Sequence, residues 1–150
     1  MIYKKILFKI FSLYPPFLGA GISVKISKDV KNVHVAMKLT WWNRNYVGTH
    51  FGGSLYSMCD PFFMFLLMEN LGLGYIVWDK SASITFKNPG KGTVYANFHI
   101  PEEKYQEIKE QAYKSKKIYP TFTVDVMDKQ GNVVATVEKV IYIKKKDKKR

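Results

Sequence analysis

One carboxylate stands out in this sequence because of its surroundings. Asp60 is the only formally charged residue between Phe51 and Met68, within the longest apolar stretch of the chain. Burying an unpaired carboxylate is costly unless it is hydrogen-bonded or its pKa is raised. That cost favours a chemical role for Asp60, in catalysis or in ligand binding. The structural alternative is helix capping, because Asp60-Pro61 also fits an N-cap followed by proline at the first helical position.

Metal and disulfide chemistry have much weaker support in the sequence. The three histidines, His34, His50 and His99, lie far apart and lack the spacing of metal ligands. Cys59 is the only cysteine, which excludes an internal disulfide framework and suits a reducing compartment. We therefore expect no metal centre and a cytoplasmic location.

Composition and charge indicate one globular domain with a basic surface. The chain has 150 residues, 47% of them hydrophobic, and a net charge of +12. Six of the last seven residues are basic, so much of the surplus lies in a terminal run rather than a shaped groove. Arg44 and Arg150 are the only arginines, which leaves few side chains for bidentate base contacts. These features predict no nucleic-acid partner.

The first 14 residues carry apolar side chains at helical spacing with three lysines between them. Pro15 and Pro16 are expected to end this helix. Lys9 interrupts the apolar run that a signal peptide needs, so we expect no export. The helix either docks on its own domain or lies on a membrane surface, where the basic chain ends would give peripheral contact.

The remaining pattern predicts strands on both sides of one long helix. Apolar and polar residues alternate in segments 21–29, 33–40, 75–87, 93–100, 118–127 and 132–143. Segment 51–71 predicts a helix buried on nearly every side, and 101–115 a polar surface helix. We expect an α+β fold with a curved antiparallel sheet around the buried helix. The expected division is an N-terminal segment 1–16, a domain 17–143 and a basic tail 144–150, which we expect to be exposed and dispensable for folding.

Segment 43–60 resembles a known motif. Its residues Asn45-Tyr46-Val47-Gly48-Thr49-His50-Phe51-Gly52-Gly53 and the following helix resemble the N-x-x-G-T-x-H-G-G motif of hotdog-fold acyl-CoA thioesterases of the phenylacetate-pathway type. Tyr14-Pro15-Pro16, Asp60-Pro61-Phe62 and Lys87-Asn88-Pro89-Gly90-Lys91-Gly92 look like a bacterial family of that superfamily known only as a domain of unknown function. The resemblance covers nearly the whole chain and implies a hotdog fold.

The resemblance also implies roles for individual residues. Asp60 matches a carboxylate that acts as nucleophile or general base, and Gly52 an N–H that polarises the thioester carbonyl. Asn45 matches a positioning asparagine, although Asn is also common in turns. Histidine stands at His50, one place earlier than in the family. Asp79 stands where a hydroxyl residue often assists the attacking water.

Other assignments rest on residue type alone. Gly53 offers a second N–H at the helix start, or simply allows tight packing. Trp78 and Phe63 are candidates to line an acyl pocket, or are core residues. Arg44 and Lys80 are candidates for the phosphates of coenzyme A, or are solvated.

The resemblance implies an acyl-CoA thioesterase that works as a homodimer or homotetramer. Its only cofactor-like group is the coenzyme A moiety of the substrate. Independently, eight residues on one helix would separate Gly52 from Asp60 by about 12 Å, so a partner subunit is needed to bring them to one carbonyl. The alternative is a non-catalytic hotdog module that binds acyl-CoA or lipid, with or without membrane contact.

Overall fold

The computed structural model describes residues 11–146. Their strands are β1 (Ile22–Ile26), β2 (Asn32–Lys38), β3 (Tyr75–Phe86), β4 (Thr93–His99), β5 (Thr121–Asp128) and β6 (Val133–Lys145). Their helices are α1 (Pro15–Ala20), α2 (Gly52–Ser57), α3 (Phe62–Leu71) and α4 (Glu102–Lys114), preceded by a 3-10 turn (Phe11–Leu13). The expected order of strands and helices is confirmed, with most segments a few residues shorter than predicted.

The six strands form one curled antiparallel sheet in the order β1-β2-β4-β5-β6-β3. The inner face carries the buried side chains of alternate residues, among them Val35, Val94, Val126 and Val137. These side chains pack against the apolar side of α3. The predicted α+β arrangement is therefore confirmed. No helix within residues 11–146 has the length and apolar character needed to cross a membrane.

The central helical segment differs from the prediction of one helix over 51–71. It consists of α2 and α3, separated by a break at residues 58–61. Pro61 causes this break, because proline lacks an N–H and disfavours helical backbone at the residue before it. Within α3, Met68 is exposed at 45%, and the other nine residues are buried or half-buried.

The N-terminal segment packs against the central helices. The rings of Phe11 and Phe65 lie 4.9 Å apart, and those of Phe17 and Phe62 lie 6.0 Å apart. The two prolines open α1 instead of only closing an earlier helix, because proline is well suited to the first helical turn. The predicted helix over the first 14 residues falls mostly outside the described residues.

The C-terminal strand extends further than predicted. Lys144 and Lys145 belong to β6 and pair with Ile76 and Tyr75 of β3. The backbone N–H of Lys146 also donates to the carbonyl of Gly74 at 2.8 Å. The like-charged run therefore starts within the sheet.

This pairing predicts that truncation tolerance changes abruptly near residue 146. A protein that ends at residue 143 loses the pairing of Lys144 and Lys145 with β3. Its melting temperature should be about 2–4 °C lower for each kcal/mol of folding stability lost. A protein that ends at residue 146 keeps β6 and should melt like the full chain. Thermal unfolding followed by circular dichroism measures both, and equal melting temperatures for the two truncations would contradict this prediction.

Candidate active site

Lys139 is a lysine on the core face of the sheet. Its residue is 1% exposed, although it lies in the middle of β6. The buried residues of the same strand on the same face are Ala135, Val137, Ile141 and Ile143. Lysine is almost never buried without a partner, so this position needs compensating charge.

Three oxygen atoms supply that compensation. Lys139 Nζ donates to Asp60 Oδ1 at 2.8 Å and to Tyr56 Oη at 3.1 Å. It also forms an ion pair with Asp79 Oδ1 at 3.2 Å. The Tyr56 hydroxyl in turn donates to Asp60 Oδ1 at 2.5 Å. We call these four residues the Lys139 cluster.

Burial and the neighbouring charges act on the pKa values of Lys139 and Asp79 in opposite directions. Burial works to lower the pKa of Lys139, but the bonds to Asp60 and Tyr56 and the charge of Asp79 raise it above its ordinary value. Burial raises the pKa of Asp79, and Lys139 counteracts part of that effect. Burial and the bond to Asp60 raise the pKa of the Tyr56 hydroxyl. At neutral pH Lys139 is therefore a cation, and Tyr56 is a neutral hydrogen-bond donor.

The Asp60 side chain does not cap a helix. Residue Pro61 precedes α3, and no side chain accepts a hydrogen bond from the first turn of that helix. Asp60 instead directs Oδ1 to Tyr56 and Lys139, while its side chain remains 47% exposed. No residue within 11–146 donates a hydrogen bond to Oδ2. Asp60 therefore has one anchored oxygen and one available oxygen.

Asp79 reaches the cluster from the edge strand of the sheet. Asp79 of β3 lies opposite Ile141 of β6, two residues beyond Lys139 on the same face. A β-bulge between Asp79 and Ser81 shifts the register there. Bulges redirect individual side chains and are common next to active sites. The secondary candidate Asp79 and the main candidate Asp60 thus meet at one ammonium group.

Gly52 and Gly53 begin α2, and nothing within residues 11–146 accepts a hydrogen bond from their N–H groups. A Cβ at Gly52 would lie 2.8 Å from the ring of Phe86, and one at Gly53 would lie 2.5 Å from the ring of Phe51. Both glycines therefore allow close packing and also leave free donors at a helix start. The two interpretations of these glycines are compatible.

Asn45 organises the loop before α2. Its Nδ2 donates to Thr49 Oγ1 and to the carbonyl of His50, and its Oδ1 accepts from the N–H groups of Val47 and Thr49. Gly48 completes the turn with a φ of +80°, which favours glycine. All these bonds of Asn45 stay inside the loop, as the turn interpretation predicts. Asn45 thereby positions the chain that leads into Gly52.

His50 connects the loop before α2 to the turn between β3 and β4 through two hydrogen bonds. The residue is 3% exposed, and its Nε2 lies 2.9 Å from the carbonyl oxygen of Gly92. Its backbone N–H donates to the carbonyl of Gly90 at 3.0 Å. Burial lowers the pKa of His50, so the ring is neutral at pH 7. These contacts give His50 a structural task.

The four residues predicted to bind substrate lie apart from one another. Phe63 is 3% exposed and packs on Phe98 and Phe122 in the core. Trp78 is 65% exposed on β3, and the Lys80 ammonium lies 3.9 Å from the ring centre of Tyr119. Arg44 is exposed in the loop before α2. The structure does not gather them into one pocket.

Two cavities flank the central helices. The aromatic cavity, of about 550 Å³, is lined by Phe11, Leu13, Tyr14, Pro15, Phe17, Asp60, Pro61 and Phe65. The loop cavity, of about 480 Å³, is lined by Asn45, Val47, Thr49, His50, Gly52, Leu55, Phe86, Lys87, Asn88, Pro89 and Gly90. Within one chain, Asp60 and Gly52 therefore face different cavities.

Residue-type reasoning missed Lys139 and Tyr56, although the sequence contains a signal for the lysine. Every odd-numbered residue from 133 to 143 is apolar except Lys139. Period-two alternation places all of these side chains on one face of a strand. A lysine on an otherwise apolar face predicts a buried cation with an acidic partner.

Similar folds occur in solved structures that share little sequence with this chain. A protein of unknown function from Pseudomonas aeruginosa superposes with a TM-score of 0.77 at 17% identity, covering 95% of this chain and 96% of that one. A thioesterase from Haemophilus influenzae superposes with a TM-score of 0.67 at 10% identity, covering 94% and 90%. A protein of unknown function from Chlorobaculum tepidum gives 0.72 at 18% identity, covering 96% and 95%.

These superpositions confirm the hotdog fold expected from the sequence. Among proteins with curated functions, none matches the chain. The family model described as a domain of unknown function (DUF4442) matches residues 4–143. The chain belongs to this DUF4442 family, a hotdog-fold family similar in structure to thioesterases.

Proposed function

We propose that this protein hydrolyses acyl-CoA thioesters, with Asp60 as the reactive carboxylate. The observation that carries the proposal is the state of Asp60: Lys139 and Tyr56 hold Oδ1, no residue within 11–146 donates to Oδ2, and Asp60 lines the aromatic cavity. A carboxylate fixed through one oxygen and open at the other is suited to act on a carbonyl or on water. The thioesterase from Haemophilus influenzae with a similar fold supports the same reaction class.

Two routes lead from this geometry to the same products. As a general base, Asp60 removes a proton from water while the water oxygen bonds to the carbonyl carbon, and the C–S bond then breaks to release the thiolate. As a nucleophile, Asp60 bonds to the carbonyl carbon and expels the thiolate, and water then cleaves the resulting anhydride. In both routes the N–H of Gly52 stabilises the negative charge that develops on the carbonyl oxygen.

A dimer is part of this proposal. Strand β3 forms one edge of the sheet, is 12 residues long, and is exposed from Trp78 to Ser83. Such an edge offers a row of backbone groups for pairing with a second chain. Asp79 of the Lys139 cluster lies on this strand, so the cluster is next to the proposed interface. Pairing of two copies would also allow Asp60 of one chain to meet Gly52 of the other.

The aromatic cavity is the proposed place for the acyl chain. Five of its eight lining residues have large aromatic or aliphatic side chains, which suits an apolar or aryl group. These are Phe11, Leu13, Tyr14, Phe17 and Phe65. The volume falls within the range of small-molecule pockets. The substrate class and the free thiol of Cys59 also fit the cytoplasmic location expected from the sequence.

A substrate screen tests the proposal directly. The purified full chain is incubated with short-, medium-, long-chain and aryl-CoA thioesters, and released thiol is measured with a chromogenic reagent. We expect saturable turnover, with apolar chains preferred over acetyl because burial contributes about 0.8 kcal/mol per methylene.

The non-catalytic alternative gives a different result in the same screen. A non-hydrolysable CoA thioether of each chain length reports binding by calorimetry without chemistry. Saturable binding with no thiol release from any thioester would contradict the hydrolase proposal and identify a binding module. Turnover that also occurs in a sample denatured by heat would show that the released thiol does not come from this protein.

A further inference from the structure

We propose that Lys139 is the positioning residue for Asp60: its ammonium group holds Oδ1 and thereby sets the orientation of the reactive carboxylate. This inference rests on the proposed hydrolysis by Asp60. It adds a residue that lies 79 positions from Asp60 along the chain and outside the motif that resembles thioesterases.

Geometry supports this role first. The three N–H bonds of an ammonium group match the three oxygen atoms around Lys139 Nζ, at 2.8, 3.1 and 3.2 Å. The bond from Nζ and the bond from Tyr56 converge on the same oxygen of Asp60. Two donors on Oδ1 fix the orientation of the carboxylate and leave Oδ2 without a side-chain donor among the described residues.

Energetics indicate that fold stability alone does not require a lysine here. Position 139 lies between Val137 and Ile141 on the core face, where an apolar side chain would pack without desolvating a charge. Replacement of buried ion pairs by apolar residues is often neutral or stabilising in other proteins. A lysine at this position is therefore best explained by what it does to Asp60.

The charge balance around Nζ contains one cation and two carboxylates. Tyr56 comes from α2, Cys59 and Asp60 from the break before α3, Asp79 from β3 and Lys139 from β6. Burial raises the pKa of the Cys59 thiol, which is therefore neutral. Among the described residues, Lys139 Nζ and Tyr56 Oη are the two side-chain donors to Asp60, so the orientation of this carboxylate depends on them.

The first test removes the cation with Lys139→Met, which keeps a chain of similar length. kcat should fall by a factor on the order of 10 to 100 with little change in KM, because a misplaced reacting group loses transition-state stabilisation while the acyl chain still binds. Lys145→Met is the matched control. It removes the same charge from an exposed position of the same strand and should leave kcat unchanged.

The second test removes the other donor to Oδ1 with Tyr56→Phe, which keeps the ring and deletes the hydroxyl. kcat should again fall with KM nearly unchanged, because one of the two bonds that orient the carboxylate is lost. This variant keeps the inference testable if Lys139→Met does not fold. A buried lysine with a purely structural task would lower stability when replaced, but neither variant would then lower kcat in a folded protein.

A crystal structure of each variant separates this inference from the proposed function. In Lys139→Met the Asp60 carboxylate should leave its wild-type orientation, because the ammonium group that holds Oδ1 is gone, whether or not the protein turns over any thioester. An unmoved Asp60 carboxylate in Lys139→Met would overturn the inference. A displaced Asp60 carboxylate in a protein without turnover would overturn only the hydrolase proposal.

Discussion

Replacement of Asp60 by asparagine is expected to lower kcat/KM by a factor on the order of 100 or more. The asparagine side chain keeps the shape, and its oxygen can still accept the bonds from Tyr56 and Lys139. What is lost is the negative charge that removes a proton or attacks the carbonyl. Steady-state hydrolysis of the best CoA thioester from the screen measures the effect.

The matched control for this variant is Glu138→Gln. Glu138 precedes Lys139 on β6 but is exposed on the outer face, so its neutralisation removes one negative charge without entering the cluster. We expect that control to retain nearly full activity. Retained turnover in a well-folded Asp60→Asn protein would end the catalytic assignment of Asp60.

Stability measurements on the same variants test the capping alternative. If Asp60 were only an N-cap, asparagine would behave like the wild type and Asp60→Ala would cost about 1 kcal/mol. The side-chain contacts argue against this outcome, because Asp60 bonds to Tyr56 and Lys139 and not to the first turn of α3. We expect both variants to be destabilised, since each leaves Lys139 with one carboxylate in place of two.

The second large effect is expected in mixed dimers that carry different variants. One chain of the dimer carries Asp60→Asn and the other carries Gly52→Pro, and this heterodimer is isolated through two affinity tags. If Asp60 of one chain serves the same carbonyl as Gly52 of the other, one site remains intact, and activity should be about half that of the wild-type dimer. Each homodimer of a variant should be nearly inactive. The heterodimer should also be nearly inactive if both groups act within one chain.

Gly52→Pro is suited to this experiment for geometric reasons. Gly52 is the first residue of α2, where proline is favoured, and its missing N–H removes only the proposed donor. The preceding residue Phe51 has φ −64° and ψ 130°, which is compatible with a following proline. The added side chain requires the exposed ring of Phe86 to move, and Gly52→Ala reproduces that contact while keeping the N–H.

The mass of each sample by light scattering is the control for the mixed dimers. Half activity in a dimer of the two variants would support a site shared between chains. Background activity in a stable dimer would contradict the shared site while leaving Asp60 as a catalytic candidate. A monomeric wild type with full activity would contradict the dimer itself.

The sequence by itself determined the order of strands and helices, because the spacing of apolar residues within each segment identifies it as a strand or a helix. Alternation in the six predicted segments is enough to specify strands, and the Asp128-Lys129-Gln130-Gly131 turn is enough to place the last hairpin. The sequence also singled out Asp60, because a lone charge in an apolar stretch can be recognised without knowing what surrounds it.

Helix bounds were predicted less well, for a local reason as well. The apolar run from Phe51 to Leu71 reads as one helix when only hydrophobicity is counted. Pro61 divides it into α2 and α3, and the break turns Asp60 toward the sheet instead of along a helix. The last strand was likewise predicted to end at residue 143, whereas β6 continues to Lys145.

Only the tertiary structure decided which residues surround Asp60. The contact between Asp60 and Lys139 spans 79 positions, and the contact between Asp79 and Lys139 depends on the register of β3 against β6 and on the bulge beside Asp79. Such contacts follow from how distant strands align, which no local period encodes. The alternation of β6 places Lys139 on the inner face, but its partners Tyr56 and Asp79 come from other elements. The physical reason is that a buried charge is paired in space, by whichever acidic group the completed fold brings within about 3 Å.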